Sequence, residues 1–207
     1  MGALQTTWLA SGSDVSPRVV VRVYDYALTR ALLLRSESEA TAILKHAGLE
    51  TTWVDCPLAT AEVASHPECE AQPGATDFVL RIITAAQAEK LPAHTEAMGK
   101  ALDCLPGEAG CSAYVFYRNV QRSAREGDAS EYQLLGHAMA HELGHLLLGR
   151  NTHSPTGIMR ARWSSPEIRT IAVSYLLFTD EQAQRMREEI SARRTIQQDQ
   201  PASARSN

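Results

Sequence analysis

The chain has 207 residues, 44% hydrophobic and 21% charged, with 20 basic against 24 acidic side chains and a formal net charge of −4. That length and apolar share suit one domain with a real core, and the mild acidity excludes the basic footprint of a nucleic-acid binder. No apolar run approaches the roughly 18 residues a membrane span needs.

Residues 1–16 read as a flexible lead, without the basic start and apolar stretch of a signal peptide. Pro17 to Tyr26, rich in Val and Tyr, reads as a strand. Leu32 to Ala47 reads as a helix, with Leu33, Ala40, Ile43, Leu44 and Ala47 near helical spacing and Gly48 as the stop. Thr51 to Cys56 is a second strand, so strand, helix and strand predict a right-handed crossover and a parallel pair. Pro57 to Gly74 reads as a long loop, Asp77 to Thr84 as a third strand, and Ala85 to Thr95 fits no single element. Ala97 to Cys104 reads as an edge strand antiparallel to a fifth strand, Ser112 to Val120, across the turn-rich Leu-Pro-Gly-Glu-Ala-Gly. Gln121 to Asp128 reads as a charged connection. A buried helix opens near Ser130. Ser165 to about Val173 is a short helix, and Thr179 with Gln182 makes a capping box for the last one, whose apolar stripe is Ala183, Met186 and Ile190.

The expected fold class is α+β: a twisted mixed sheet of about five strands, a backing helix, the buried helix and a C-terminal helix. Residues 17–192 form one domain, with 17–149 and 150–192 as its two halves, and 193–207 form a disordered polar tail. Cys56 and Cys69 bracket one loop and Cys104 and Cys111 another, which predicts two local disulfides among the three possible pairings. Four reduced thiols are the alternative; a Cys₄ metal site lacks C-x-x-C spacing. Disulfides imply a secreted or periplasmic protein, and reduced thiols a cytoplasmic one.

Chemistry concentrates in GHAMAHELGHLLLGRNTHSPTGIMRARW, Gly136 to Trp163. His141, Glu142 and His145 form H-E-x-x-H. Helical residues four apart differ by only about 40° around the axis, so both imidazoles leave one face, one turn apart. Two neutral imidazoles so placed can hold one Zn²⁺, with Glu142 beside it as a base for water. The flanks, Leu134, Leu135, Ala138, Met139, Leu143 and Leu146 to Leu148, make the helix apolar nearly all round. Polar groups buried in such a helix need satisfying. A metal does so; hydrogen bonds from the histidines to backbone are the alternative. Gly149 can end the helix, and His153 follows in a polar turn.

This run resembles the metzincin metallopeptidases, which combine a helical H-E-x-x-H, a glycine turn, a third histidine and a Met-turn. It is also similar to small uncharacterised bacterial proteins, predicted zinc metallopeptidases, with H-E-[LI]-G-H-L-L-L-G and H-S-x-x-G-I-M. The resemblance implies His141, His145 and His153 as ligands of one Zn²⁺, Glu142 as general base, Gly149 as the turn and Met159 as the Met-turn. It also implies that the edge strand, Met98, Gly99, Lys100, Ala101 and Leu102, holds an extended peptide by β-addition. A plain sheet edge is the alternative. Gly149 comes one residue later, and His153 two later, than the family spacing. That leaves Glu167 as a rival third ligand. The position two after the Met-turn methionine, a tyrosine in many metzincins, is Ala161, so a transition-state donor must come from elsewhere, Tyr175 or an arginine. The expected function is a monomeric zinc metalloendopeptidase acting on peptide or protein. The alternatives are a zinc-bound interaction module without turnover and a minimal peptidase with Glu167 as ligand.

Overall fold

The computed structural model describes residues 16–91, 96–105, 107–149 and 152–199. The described elements are β1 (Arg18–Asp25), α1 (Arg30–His46), β2 (Glu50–Asp55), α2 (Thr60–Val63), α3 (Pro67–Glu70), β3 (Asp77–Ile83), α4 (Ala85–Ala88), β4 (Gly99–Ala101), β5 (Cys111–Phe116), α5 (Tyr117–Gly127), α6 (Glu131–Leu148), α7 (Ser165–Val173) and α8 (Asp180–Asp199).

The strands make one sheet in the order β2-β1-β3-β5-β4. Four run parallel, and β4 closes one edge antiparallel to β5, pairing Gly99 with Val115 and Ala101 with Ala113. Alternate residues of a strand share one face, and on the central strands one such face meets the helical core. Val19, Val21, Val23, Phe78, Leu80 and Ile82 are accordingly buried. The first crossover is the expected one. Thr29 caps α1 by accepting from the Leu32 N–H, and Gly48, at φ +78°, turns the chain into β2.

Helix α6 runs through the middle of the core against α1, α8 and the sheet. The crossing with α1 is close because Gly136 has no side chain: a Cβ there would lie 2.7 Å from the Ser36 carbonyl oxygen and 2.5 Å from Glu39 Cβ. Both expected disulfides, Cys56–Cys69 and Cys104–Cys111, are present. The second ties the end of the β4 segment to the start of β5.

Several elements differ from expectation. The fifth strand stops at Phe116, and Tyr117 opens α5, through the stretch read as strand and then loop. Asn119, Val120, Ala124 and Gly127 are buried at helical spacing, and Asp128 closes the helix in the left-handed conformation at φ 55°. Burial of that face outweighs the β preference of Tyr117 and Val120. The edge strand is cut to three residues. The long loop holds two one-turn helices, and a capping box between Thr84 and Gln87 starts α4. The last helix extends to Asp199, so Arg193, read as the start of the tail, is a helix residue with 2% of its surface exposed. Its guanidinium donates to the Ala75 and Glu108 carbonyls and pairs with Glu189. The lead up to residue 15 and the tail from residue 200 lie outside the described residues. Among the described residues no helix is long and apolar enough to cross a membrane.

Candidate metal centre

α6 carries His141, Glu142 and His145 on adjoining positions of its cleft side and ends at Gly149, whose φ of 85° turns the chain away. The loop then returns His153 to the helix. His141 Nε2 and His145 Nε2 are 3.0 Å apart, and His145 Nε2 and His153 Nε2 are 3.1 Å apart. His141 is the most enclosed of the three, His145 is half-buried and His153 is exposed.

The other ring nitrogens fix the tautomers of two of these rings. His141 Nδ1 lies 2.8 Å from the Ile158 carbonyl, which can only accept. His145 Nδ1 lies 3.0 Å from Thr152 Oγ1, whose own proton goes to the Gly149 carbonyl at 2.9 Å. Both Nδ1 atoms therefore donate, and both Nε2 atoms present lone pairs to each other. Two lone pairs at 3.0 Å repel unless a cation stands between them. Burial, chiefly, lowers the imidazole pKa to about 4 at His141 and about 3 at His145, so protonation is not that cation near neutral pH. His141, His145 and His153 are placed so that they could hold one metal ion, and a donor set of neutral imidazoles suits zinc. The same backbone and hydroxyl contacts orient the rings as outer-sphere partners of metal ligands do.

Glu142, next to His141 on α6, lines the same cleft and has 4% of its surface exposed. Its Oε2 has no hydrogen-bond partner among the described residues. Burial pushes its carboxyl up to about 8, with a backbone hydrogen bond from Ala101 opposing. A dication a few ångström away would pull the carboxyl back towards its ionised form.

Met159 is fully buried beneath α6. Gly144 makes room for it: a Cβ at Gly144 would come within 2.7 Å of Met159 Sδ and of the Phe178 ring. The turn before it is pinned by Ser154 N–H to the Met159 carbonyl and Ile158 N–H to the Leu177 carbonyl. Trp163 donates its indole N–H to the Ile158 carbonyl and sets its ring edge-on to His141, 5.6 Å away.

A cleft of about 690 Å³ opens over the histidines. Met98 to Cys104 form one wall, Arg160 to Trp163 contribute another, and His141, Glu142 and His145 line it between them. The main chains of Met98 and Leu102 bond to β5. Strand alternation then turns those of Gly99 and Ala101 outward.

The rival ligand is elsewhere. Glu167 accepts from the backbone and hydroxyl of Ser164, capping α7, and pairs with Arg160. Tyr175 packs beside His137 and His46 and does not line the cleft. His137, on the ligand side of α6, is fully buried; its Nδ1 donates to the Gln133 carbonyl and its Nε2 accepts from Leu176 N–H, so it latches two segments in the neutral form. His94 lies outside the described residues. Spacing gave no sign of the roles of Thr152 and the Ile158 carbonyl, because both depend on where the chain returns after Gly149.

No protein-family model matches the chain, and no curated protein matches it. Among solved structures, archaemetzincin from Methanopyrus kandleri aligns over 88% of this chain and 99% of that one, with a TM-score of 0.47 and 15% identity.

Proposed function

We propose that the protein is a zinc-dependent peptidase with His141, His145 and His153 as metal ligands, Glu142 as general base and Met159 as the packed floor of a Met-turn. The observation that carries this reading is the convergence of the three Nε2 atoms in a cleft also lined by the buried Glu142, one of whose carboxyl oxygens has no partner among the described residues. A bound zinc ion would supply Lewis acidity toward the scissile carbonyl and lower the pKa of the attacking water toward about 7.

The chain's own groups then do the proton work. Glu142 takes a proton from the water as its oxygen bonds to the carbonyl carbon, and returns that proton to the amine nitrogen as the C–N bond breaks. The outward edge of β4 and its flanks offer backbone groups to an extended substrate. Charge that builds on the carbonyl oxygen needs a donor. Arg162, exposed on the cleft wall, is the group we assign to it, since Tyr175 is not in the cleft.

The test is Glu142→Gln, with cleavage of a diverse peptide mixture read by mass spectrometry. The variant is expected to keep its zinc and to lose about 10²–10⁴-fold in rate, the usual contribution of a general base. Cleavage at the parent rate by a zinc-loaded variant would sink the mechanism. Absence of any chelator-sensitive cut by the parent would favour a zinc-bound interaction module instead.

A further inference from the structure

Glu142 owes its position to a residue on another element. Its side chain lies over Gly99 in β4 so closely that a Cβ built there falls 2.4 Å from Oε1, 2.5 Å from Cγ and 2.6 Å from Cδ. These are among the shortest such contacts of any glycine in the described residues, and all three atoms belong to one side chain. The backbone is not what requires glycine: Gly99 is absent from the positive-φ residues, so alanine fits its conformation. The constraint is space alone. Two residues on, the Ala101 backbone bonds to the same carboxylate. The edge strand thus provides a bare Cα surface under the Glu142 stem and a backbone donor at its tip.

We infer that Gly99 is a positioning residue, whose missing side chain forms the seat that aims the Glu142 carboxylate at the histidine cluster. A methyl group at Gly99 cannot be met by shifting only the end of the chain, since Cγ is as close as Oε1. The stem must rotate, and α6 and β4 leave little room because Glu142 is 4% exposed. The carboxylate then leaves the cluster, while the histidines, held through Nδ1 by Ile158 and Thr152, stay in place. Displacement of a base by about 1 Å is enough to cost on the order of 10²-fold in rate. This inference rests on the proposed role of Glu142 for its consequence in catalysis, but the seat itself is a matter of packing.

The experiment is a double-mutant cycle on the full chain: Gly99→Ala, Glu142→Ala and the pair, melted with and without added zinc, alongside zinc content and peptide cleavage. Gly99→Ala is expected to bind zinc like the parent, to lower kcat at least tenfold with KM little changed, and to melt about 3–10 °C lower. In the Glu142→Ala background the same substitution is expected to leave the melting temperature nearly unmoved, because the atoms it strikes are gone. Additive melting shifts, or parent kcat in Gly99→Ala, would overturn the inference. If the parent cleaves nothing, the peptidase reading falls, and the melting cycle alone still decides whether Gly99 seats Glu142.

Discussion

At the scale of single residues, the buried polar groups divide by whether a protein partner meets them. His137 has one on each nitrogen, Arg193 is fully engaged, and Arg22 pairs with Asp77 and the Ala71 carbonyl. Glu142 and Glu37 each retain an oxygen without a partner among the described residues. Glu142 lines the cleft that His141, His145 and His153 also line. For Glu37, on α1, the consequence is a pH dependence. Burial pushes its carboxyl up to about 7, with Arg30 opposing and Asp25 adding. A raised carboxyl means that the folded chain holds the proton more tightly than the unfolded one. The stabilisation it brings is therefore full below the ordinary value near 4.5 and is lost as pH rises through about 7. Glu37→Gln removes that loss. Its melting temperature should match the parent at about pH 4 and exceed it at about pH 8, by an amount worth no more than about 2 kcal/mol once solvent access is allowed for. A difference that stays constant across that range would contradict the assignment. The same scale holds what spacing could show of the centre. His141, Glu142 and His145 were legible because helical geometry fixes their relation. His153 was legible only as a candidate against Glu167, since the loop that carries it back has no period. The structure brings His153 to the other two and leaves Glu167 capping α7.

At the scale of elements, glycine sets how closely α6 meets its neighbours. A glycine inside an exposed helix costs about 1 kcal/mol relative to alanine, so replacing it normally stabilises. Gly136 should behave oppositely. A methyl group there meets the Ser36 carbonyl, a backbone atom that cannot swing away, and α1 must move off α6. Gly136→Ala is expected to destabilise by about 1–3 kcal/mol in chemical denaturation. Unchanged or raised stability would show that the α1–α6 crossing is looser than described. None of this was readable beforehand, because a glycine in an apolar helix looks the same whether a neighbour touches it or not. Elements with strong local signals were legible: the parallel β1-α1-β2 unit, β3, the α7 bounds and the Thr179–Gln182 box of α8. The misread ones were decided by tertiary burial. Tyr117 to Val120 continue the β-forming composition of β5, yet packing makes them helix. Arg193 looked like the first residue of a polar tail because no apolar partner follows it, whereas its contacts are carbonyls contributed by loops 85 and 118 residues away in sequence.

At the scale of the whole molecule, α6 is the element on which core and centre both depend. Its apolar side joins α1, α8 and the sheet, while its cleft side carries His141, Glu142 and His145. The edge of the sheet lies over that cleft side, where Gly99 receives Glu142. The Cys104–Cys111 disulfide and Arg193 fasten the end of that edge segment. The cleft is thus built between a rigid helix, a clamped edge strand and the loop that runs from Met159 to Trp163. Everything chemical about it depends on whether the three imidazoles hold a metal. The most direct measurement is elemental analysis and zinc titration of the folded parent beside His153→Ala, after chelation and resupply. The account predicts about one zinc ion per parent chain, and binding weakened at least tenfold in His153→Ala with the fold retained. A folded parent that takes up no zinc when zinc is supplied, or a His153→Ala variant that binds it as tightly as the parent, would contradict it.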